Sequence, residues 1–268
     1  MTQKTKKPTT DSVHFEIKEG VAWLGFNRPQ SRNAMTWDMY NALEYYCDTL
    51  AEESGVHALV LHGMGGEAFV AGTDITQFAS FDKSADAIDY ERRIDRVVGK
   101  LENFPKPTLA LIEGACVGGG AALALVCDFR YATESMKFGV PIAKTLGNTL
   151  SITNVSRLVE TLGTARAKEV LMLARLVTGH EALLLGLVNE LFSSDSIYDD
   201  VKSRAADFLK RAPLTLQASK ALINRVQQSH RLTPDAGDDW VSICYMSEDF
   251  AAAVNKFVNK TPFEWSGR

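Results

Sequence analysis

Three consecutive glycines, Gly118 to Gly120, stand directly before an apolar run in the segment GACVGGGAALALVCD, residues 114–128. No other stretch restricts the possible folds as tightly. Glycine permits close backbone approach, and a helix that starts inside the triplet leaves unpaired N–H groups at its N-terminus. Two readings follow: tight packing of the helix on the strand before it, or a site for an anion or a developing oxyanion. The run carries no acid or base before Asp128, so proton chemistry at its start must be supplied from elsewhere in the chain.

The surrounding pattern alternates strand and helix. VHFEIKEGVAWLGFN reads as a hairpin turning at Lys18-Glu19-Gly20, and Asn27-Arg28-Pro29 closes it. Thr36 is a plausible N-cap for a helix in which Met39, Leu43, Tyr46, Cys47 and Leu50 recur at helical spacing, stopped by Gly55 before the strand HALVLHG. The unit recurs as a helix over Asp86–Leu101, a buried strand over Pro107–Ile112, the glycine-led helix over Gly118–Asp128, and short strands at FRYA and MKFG. Such alternation favours an α/β domain. From about Ser196 the signal is helical, with Pro213 at a helix start. The expected organisation is a frayed tail over 1–12, an α/β core over 13–195 and a helical region over 196–268.

A second stretch sharpens the oxyanion reading. In AFVAGTDITQF, residues 68–78, a strand runs into Ala71-Gly72-Thr73-Asp74, a turn able to present another N–H. Two such donors can converge on one oxygen. The plainer reading is an ordinary glycine turn with Asp74 as a helix cap.

Composition narrows the partners. A hydrophobic content of 46% over 268 residues supports a sizeable core, and a net charge of −4 without a basic block argues against nucleic acid. The four cysteines lack CxxC spacing and suit buried thiols in a reducing compartment, so no metal site is expected. Behind the polar start MTQKTKKPTTDS there is no apolar leader and no run long enough for a membrane span. A cytoplasmic protein is the expectation.

Together with FNRPQSRNAM, these motifs resemble the crotonase superfamily, the enoyl-CoA hydratase/isomerase family. The likeness continues through KPTLALIEGACVGGGAALALVCDFRYA, FGVPIA, TARAKEVLMLARLVTGHEALLLGLVNELF and the closing FVNKTPFEWSGR. It implies a ββα-spiral core with a helical C-terminal trimerisation region, a homotrimer or dimer of trimers, and acyl-CoA ligands with no cofactor beyond the CoA moiety. It also implies that Thr73 and Gly119 are the two backbone donors to the thioester oxygen. For the coenzyme it points to Arg28 and Arg32 near the phosphates and to Ala71 and Ile75 near the adenine. Lys260 and Trp265 correspond to residues that in relatives approach the CoA of a neighbouring subunit.

The family pattern breaks where the hydratases carry two glutamates, one two positions after the glycine triplet and one after the proline of FGxPE. Those positions hold Ala122 and Ile142, and neither alkyl side chain can orient a water or move its proton. Replacement groups are sought in two segments. In KSADAIDYERRIDRVVGK, Tyr90, Glu91 and Arg92 are adjacent, with Ile88, Val97 and Leu101 as an inward stripe. Glu91 is the preferred base, set against a solvated helix in which it pairs with a nearby arginine. In IAKTLGNTLSITNVSRL, Asn148 occupies the place where the related dehalogenases carry a nucleophilic aspartate; an amide can only hydrogen-bond, and its plain role is N-cap of the helix that follows. Lys144 and Thr145 on that loop are candidates for contact with a polar acyl group, whereas His62 and Asp128 read as structural. A lyase or isomerase using an unusual base, a thioester or carbon–carbon hydrolase, and a non-catalytic acyl-CoA-binding relative all remain open.

Overall fold

The structure, a computed structural model, describes residues 10–268; the first nine residues of the expected tail lie outside that range. The chain opens with the expected hairpin, β1 Val13–Lys18 and β2 Val21–Phe26, and continues through α1 Trp37–Ala51 to β3 Ala58–Gly63 and β4 Ala68–Ala71. Thr36 caps α1 by accepting from the Met39 N–H. Next come α2 Ser84–Glu102, β5 Thr108–Ile112, β6 Ala115–Val117 and the glycine-led α3 Gly119–Val126. After β7 Phe129–Thr133 and β8 Lys137–Gly139 the chain forms the short α4 Ile142–Thr145 and the long α5 Ile152–Met172. It then passes through β9 Val177–Thr178, α6 Gly179–Leu184 and β10 Glu190–Phe192. Four helices end it: α7 Ile197–Asp207, α8 Pro213–Gln228, α9 Asp238–Tyr245 and α10 Glu248–Asn259.

From β3 to β8 successive strands alternate between two sheets, and this is what makes the core a spiral. The larger sheet has the order β1-β2-β3-β5-β7-β10 and the smaller β4-β6-β8-β9. Each turn of the chain lays one strand in each sheet and then a helix, so neighbouring strands are parallel except at the hairpin and at β9, which pairs antiparallel with β8. The period-two alternation of a strand sorts the side chains of the larger sheet onto two faces. Leu59, Leu61, Ala110 and Ile112 join the main core beneath α1, α2 and α3. Val60, Leu109 and Leu111 face the other way, against Ile197, Val201 and Ala205 of α7. The first helix of the C-terminal stretch therefore packs on the back of the α/β core. By contrast, α8 buries no residue and exposes Leu214, Leu222, Ile223 and Val226.

A buried charge network ties α2 to α5 and to the segment after α8. Arg157 of α5 reaches Glu102 of α2 at 2.8 Å and Asp95 at 3.5 Å, and donates to Asn154 Oδ1 at 2.9 Å. Arg231, beyond α8, meets Glu102 at 2.8 Å from the other side. Burial opposes ionisation of Glu102, but the two guanidinium groups outweigh it and hold the carboxyl below its ordinary range. Removing one partner of a buried pair leaves the other charge uncompensated. Arg157→Met is expected to cost about 3 kcal/mol in urea unfolding, at the low end for a buried pair because Arg231 remains on Glu102; a change below about 0.5 kcal/mol would show that the network is solvated and weak.

Candidate active site

The site is built where the smaller sheet ends. Strands β4 and β6 lie side by side with Ala71 opposite Val117, so the turn after each strand emerges beside the other. In the first turn, Met35 N–H donates to the Gly72 carbonyl and Asp74 N–H to the Met35 carbonyl, both at 2.9 Å. That parallel bridge pins the residues flanking Thr73 and turns its own N–H away from Met35. In the second turn, Gly119 is the first residue of α3, where an N–H has no intrahelical acceptor. Among the described residues, neither the Thr73 nor the Gly119 N–H donates to a protein acceptor.

The close-packing reading of the glycine triplet holds at Gly120 and Gly119, with a different neighbour at each. A Cβ on Gly120 would sit 2.1 Å from the Val70 carbonyl oxygen, so this glycine exists for close packing of α3 on β4. A Cβ on Gly119 would come within 2.6 Å of the Tyr40 hydroxyl. That hydroxyl, at 2.9 Å, and the Tyr90 hydroxyl, at 3.0 Å, both engage Thr73 Oγ1. Two buried tyrosines, from α1 and α2, thus hold the first turn in place.

These turns open on a cavity of about 210 Å³, also lined by Ala122, Ile142, Glu91 and Tyr245. Its walls are otherwise largely apolar, and Glu91 is its one acidic lining residue. The expectation of a solvated α2 face with Glu91 paired to an arginine is not met. Glu91 is 5% exposed, while Arg92 pairs instead with Asp238 at 2.7 Å. Glu91 Oε1 accepts from the Tyr245 hydroxyl at 2.5 Å, and Oε2 accepts from the Ser151 N–H at 3.0 Å. Burial pushes its carboxyl up to about 7, outweighing these two hydrogen bonds, which favour the ionised form.

Asn148 is not the cap of α5. Ser151 is, accepting from the Asn154 N–H at 3.2 Å and donating to Asp95 Oδ1 at 2.8 Å. The extended chain before it brings Asn148 to the cavity, where its amide donates to the Tyr245 hydroxyl at 2.9 Å. The result is a buried relay, Asn148 to Tyr245 to Glu91. Tyr245 escaped the sequence reading because nothing near it in the chain marks it; its position on the buried face of a helix is its only local signal.

The residues expected to hold a coenzyme divide. Ala71 and Ile75 line the cavity. Arg28 is already engaged, pairing with Asp74 at 3.0 Å and donating to the Ala34 carbonyl at 2.7 Å. Arg32 faces a separate cleft with Pro29, Met64 and Gly65, so it does not meet the other candidates. Lys260 ends α10 and shares a groove of about 540 Å³ with Lys144, Lys256 and Ile75 of the same chain. Ile75, Thr145 and Leu146 line both groove and cavity. Trp265 packs on Gly147, where an added Cβ would lie 2.9 Å from its ring. Lys260 therefore lines a groove that adjoins the cavity, and Trp265 packs on the loop between α4 and α5. Lys256 was missed, since one lysine on a helix carries no signal of its own. Away from the site, His62 is buried beside Tyr198 at 3.3 Å, and burial lowers its imidazole to about 4. Asp128 pairs with Lys220 at 2.8 Å and accepts from the Thr108 N–H at 2.7 Å.

The raised Glu91 value has a thermodynamic consequence of definite sign. Unfolding releases the proton above the ordinary 4.5, whereas the folded chain keeps it to about 7. The stability that this proton brings is full below the lower value and is lost as pH rises through the upper one. Between about pH 5 and about pH 8, the wild-type chain should lose on the order of 2–3 kcal/mol relative to Glu91→Gln. Urea midpoints at the two pH values measure this, and parallel profiles would contradict it.

Comparison with known proteins agrees with this architecture. The family model described as Enoyl-CoA hydratase/isomerase matches residues 16–268. A short-chain-enoyl-CoA hydratase of Clostridium acetobutylicum is 31% identical over 255 residues, covering 95% of this chain and 97% of its own. The solved enoyl-CoA hydratase/isomerase from Xanthobacter autotrophicus Py2 has a TM-score of 0.80 at 25% identity, covering 95% of this chain and all of the other. A methylmalonyl-CoA decarboxylase in complex with 2-nitronate-propionyl-CoA reaches 0.87 at 22% identity over 97% of this chain, a likeness of fold alone. By sequence along nearly its whole length, and by the spiral of two interleaved sheets, the chain belongs to the enoyl-CoA hydratase/isomerase family of the crotonase superfamily.

Proposed function

We propose that the chain is an acyl-CoA-transforming enzyme, a lyase or isomerase, that stabilises a thioester enolate between the Thr73 and Gly119 N–H groups and moves the α-proton with Glu91. The observation that carries this reading is the pairing of two unengaged N–H groups with a single buried carboxylate in one cavity. Loss of an α-proton puts charge on the thioester oxygen, and each preorganised N–H that meets it is worth about 3 kcal/mol in the transition state. A base is most useful when its pKa lies near the working pH, and burial brings Glu91 to about 7.

The family's other chemistry fits less well. Ala122 and Ile142 present alkyl groups to the cavity, so the two-glutamate handling of water has no side chains to perform it. Coenzyme A is supported by the groove beside the cavity, where Lys144, Lys256 and Lys260 bring three ammonium groups to one opening. In this reading those lysines take the phosphate role first given to Arg28 and Arg32, and nothing beyond the CoA moiety serves as cofactor. No helix among the described residues is long and apolar enough to cross a membrane, and the reading places the enzyme in the cytoplasm. The exposed apolar residues of α8 support assembly as a homotrimer or a dimer of trimers. Sedimentation should then give a multiple of three 29.4 kDa chains, reduced by Leu222→Glu; a monomer at micromolar concentration would reject it.

The reaction is tested by incubating the enzyme with saturated, unsaturated, hydroxylated, aromatic and β-keto acyl-CoAs in deuterated water and following masses. Deuterium at the α-carbon is expected, with a loss of about 100-fold or more in Glu91→Gln. Exchange that survives this substitution would overturn the role of Glu91. Release of free CoA or a carboxylate product without deuterium would instead favour a hydrolase, and binding without any mass change would favour a non-catalytic relative.

A further inference from the structure

Tyr245 ends α9, far along the chain from the core that houses the cavity, yet its hydroxyl lies between Glu91 and Asn148. The two hydrogen bonds have a fixed direction. Asn148 Nδ2 can only donate, so the phenol accepts from it and uses its own hydrogen on Glu91 Oε1. With Ser151 N–H on Oε2, both carboxylate oxygens are held by donors from segments outside α2. The ring itself is seated independently of the hydroxyl. It packs at 4.9 Å from the Phe250 ring and 6.2 Å from that of Phe78, while Arg92 of α2 pairs with Asp238 at the start of α9.

We infer that Tyr245 is a positioning residue: its hydroxyl holds the Glu91 carboxylate at the cavity and makes the acid–base group of the core depend on the seating of the C-terminal helix α9. The inference deepens the proposed role of Glu91 and rests on that reading for its catalytic meaning, but its physical content is independent of turnover. The groups facing Glu91 are few. Asp95 and Tyr90 come from its own helix, Tyr40 from α1, Tyr245 from α9, and the Ser151 N–H from the segment before α5. Arg157 reaches Asp95 and not Glu91. Among the side chains in that set, Tyr245 donates to the carboxylate, so loss of its hydroxyl has one direction: the ionised form is disfavoured.

The test needs no substrate. The infrared carbonyl band of protonated Glu91, identified by its disappearance in Glu91→Gln, is titrated in the wild-type chain and in Tyr245→Phe, with circular dichroism as the check on folding. The midpoint should rise by about half a pH unit or more in Tyr245→Phe, and fall below wild type when 3-fluorotyrosine, a stronger donor, is placed at position 245. A midpoint that stays or falls in Tyr245→Phe, or that does not respond to the fluorinated ring, overturns the inference. The acid limb of α-deuterium exchange should follow the same shift. An unmoved infrared midpoint defeats the Tyr245 assignment alone, whereas exchange that persists in Glu91→Gln defeats the proposed function alone.

Discussion

The parallel pairing of β4 with β6 is the contact on which the site depends. It sets the ends of two strands, distant in sequence, next to each other, so that the turn at Thr73 and the start of α3 at Gly119 face the same space. Close approach is possible because the second turn lacks side chains where they would collide, at Gly120 with Val70 and at Gly119 with Tyr40. Hydrogen bonds then fix what the pairing brings together. Met35 holds both neighbours of Thr73, and Tyr40 and Tyr90 hold its hydroxyl. In the proposed function, a donor pair assembled this way would need little further ordering when an oxygen arrives between its members.

The placement of Glu91 shows the opposite economy. A carboxylate taken out of water loses solvation, and here two hydrogen bonds return only part of it, leaving its proton affinity high. The neighbouring Asp95 is treated differently, taking hydrogen bonds from Ser151 and Asn154 with Arg157 nearby. Burial still raises its carboxyl, but its position is structural, anchoring α5 to α2. The member of the pair without a nearby guanidinium is the one that lines the cavity. Where environments separate two nearby carboxyls in this manner, the poorly neutralised one is the candidate for proton transfer.

Local chemistry made much of this legible in the sequence. The glycine triplet, the AGTD turn and the Thr36 cap act through neighbours in the chain, and each lies where pattern reasoning put it. Glu91 was named from its segment, but its burial was not, because that depends on Tyr245 and Ser151, brought to it by tertiary packing. Asn148 carried the composition of a cap and lost that place to Ser151, three residues on, once the chain ran extended past the cavity. Arg28 shows a partner that the sequence did not mark. A positive charge in the right loop suggested a phosphate, while Asp74 and the Ala34 carbonyl already occupied its guanidinium.

The alkyl residues at 122 and 142 bear on Glu91 as well as on the handling of water in the proposed function. Carboxylates sharing a small apolar cavity raise one another's proton affinity and titrate as a coupled set. With Ala122 and Ile142 as walls, Glu91 shares the cavity with no other acidic side chain. Its proton affinity is then governed by burial, by the donors on its two oxygens and by Asp95 behind it. In the proposed function, a methyl and a branched alkyl chain at these walls offer water no hydrogen-bond partner, and a drier cavity would strengthen the N–H dipoles at Thr73 and Gly119 together with the penalty on the carboxylate. The proposed enolate chemistry by a single base draws on both effects, since the same burial that raises Glu91 would favour an oxyanion held by two amides.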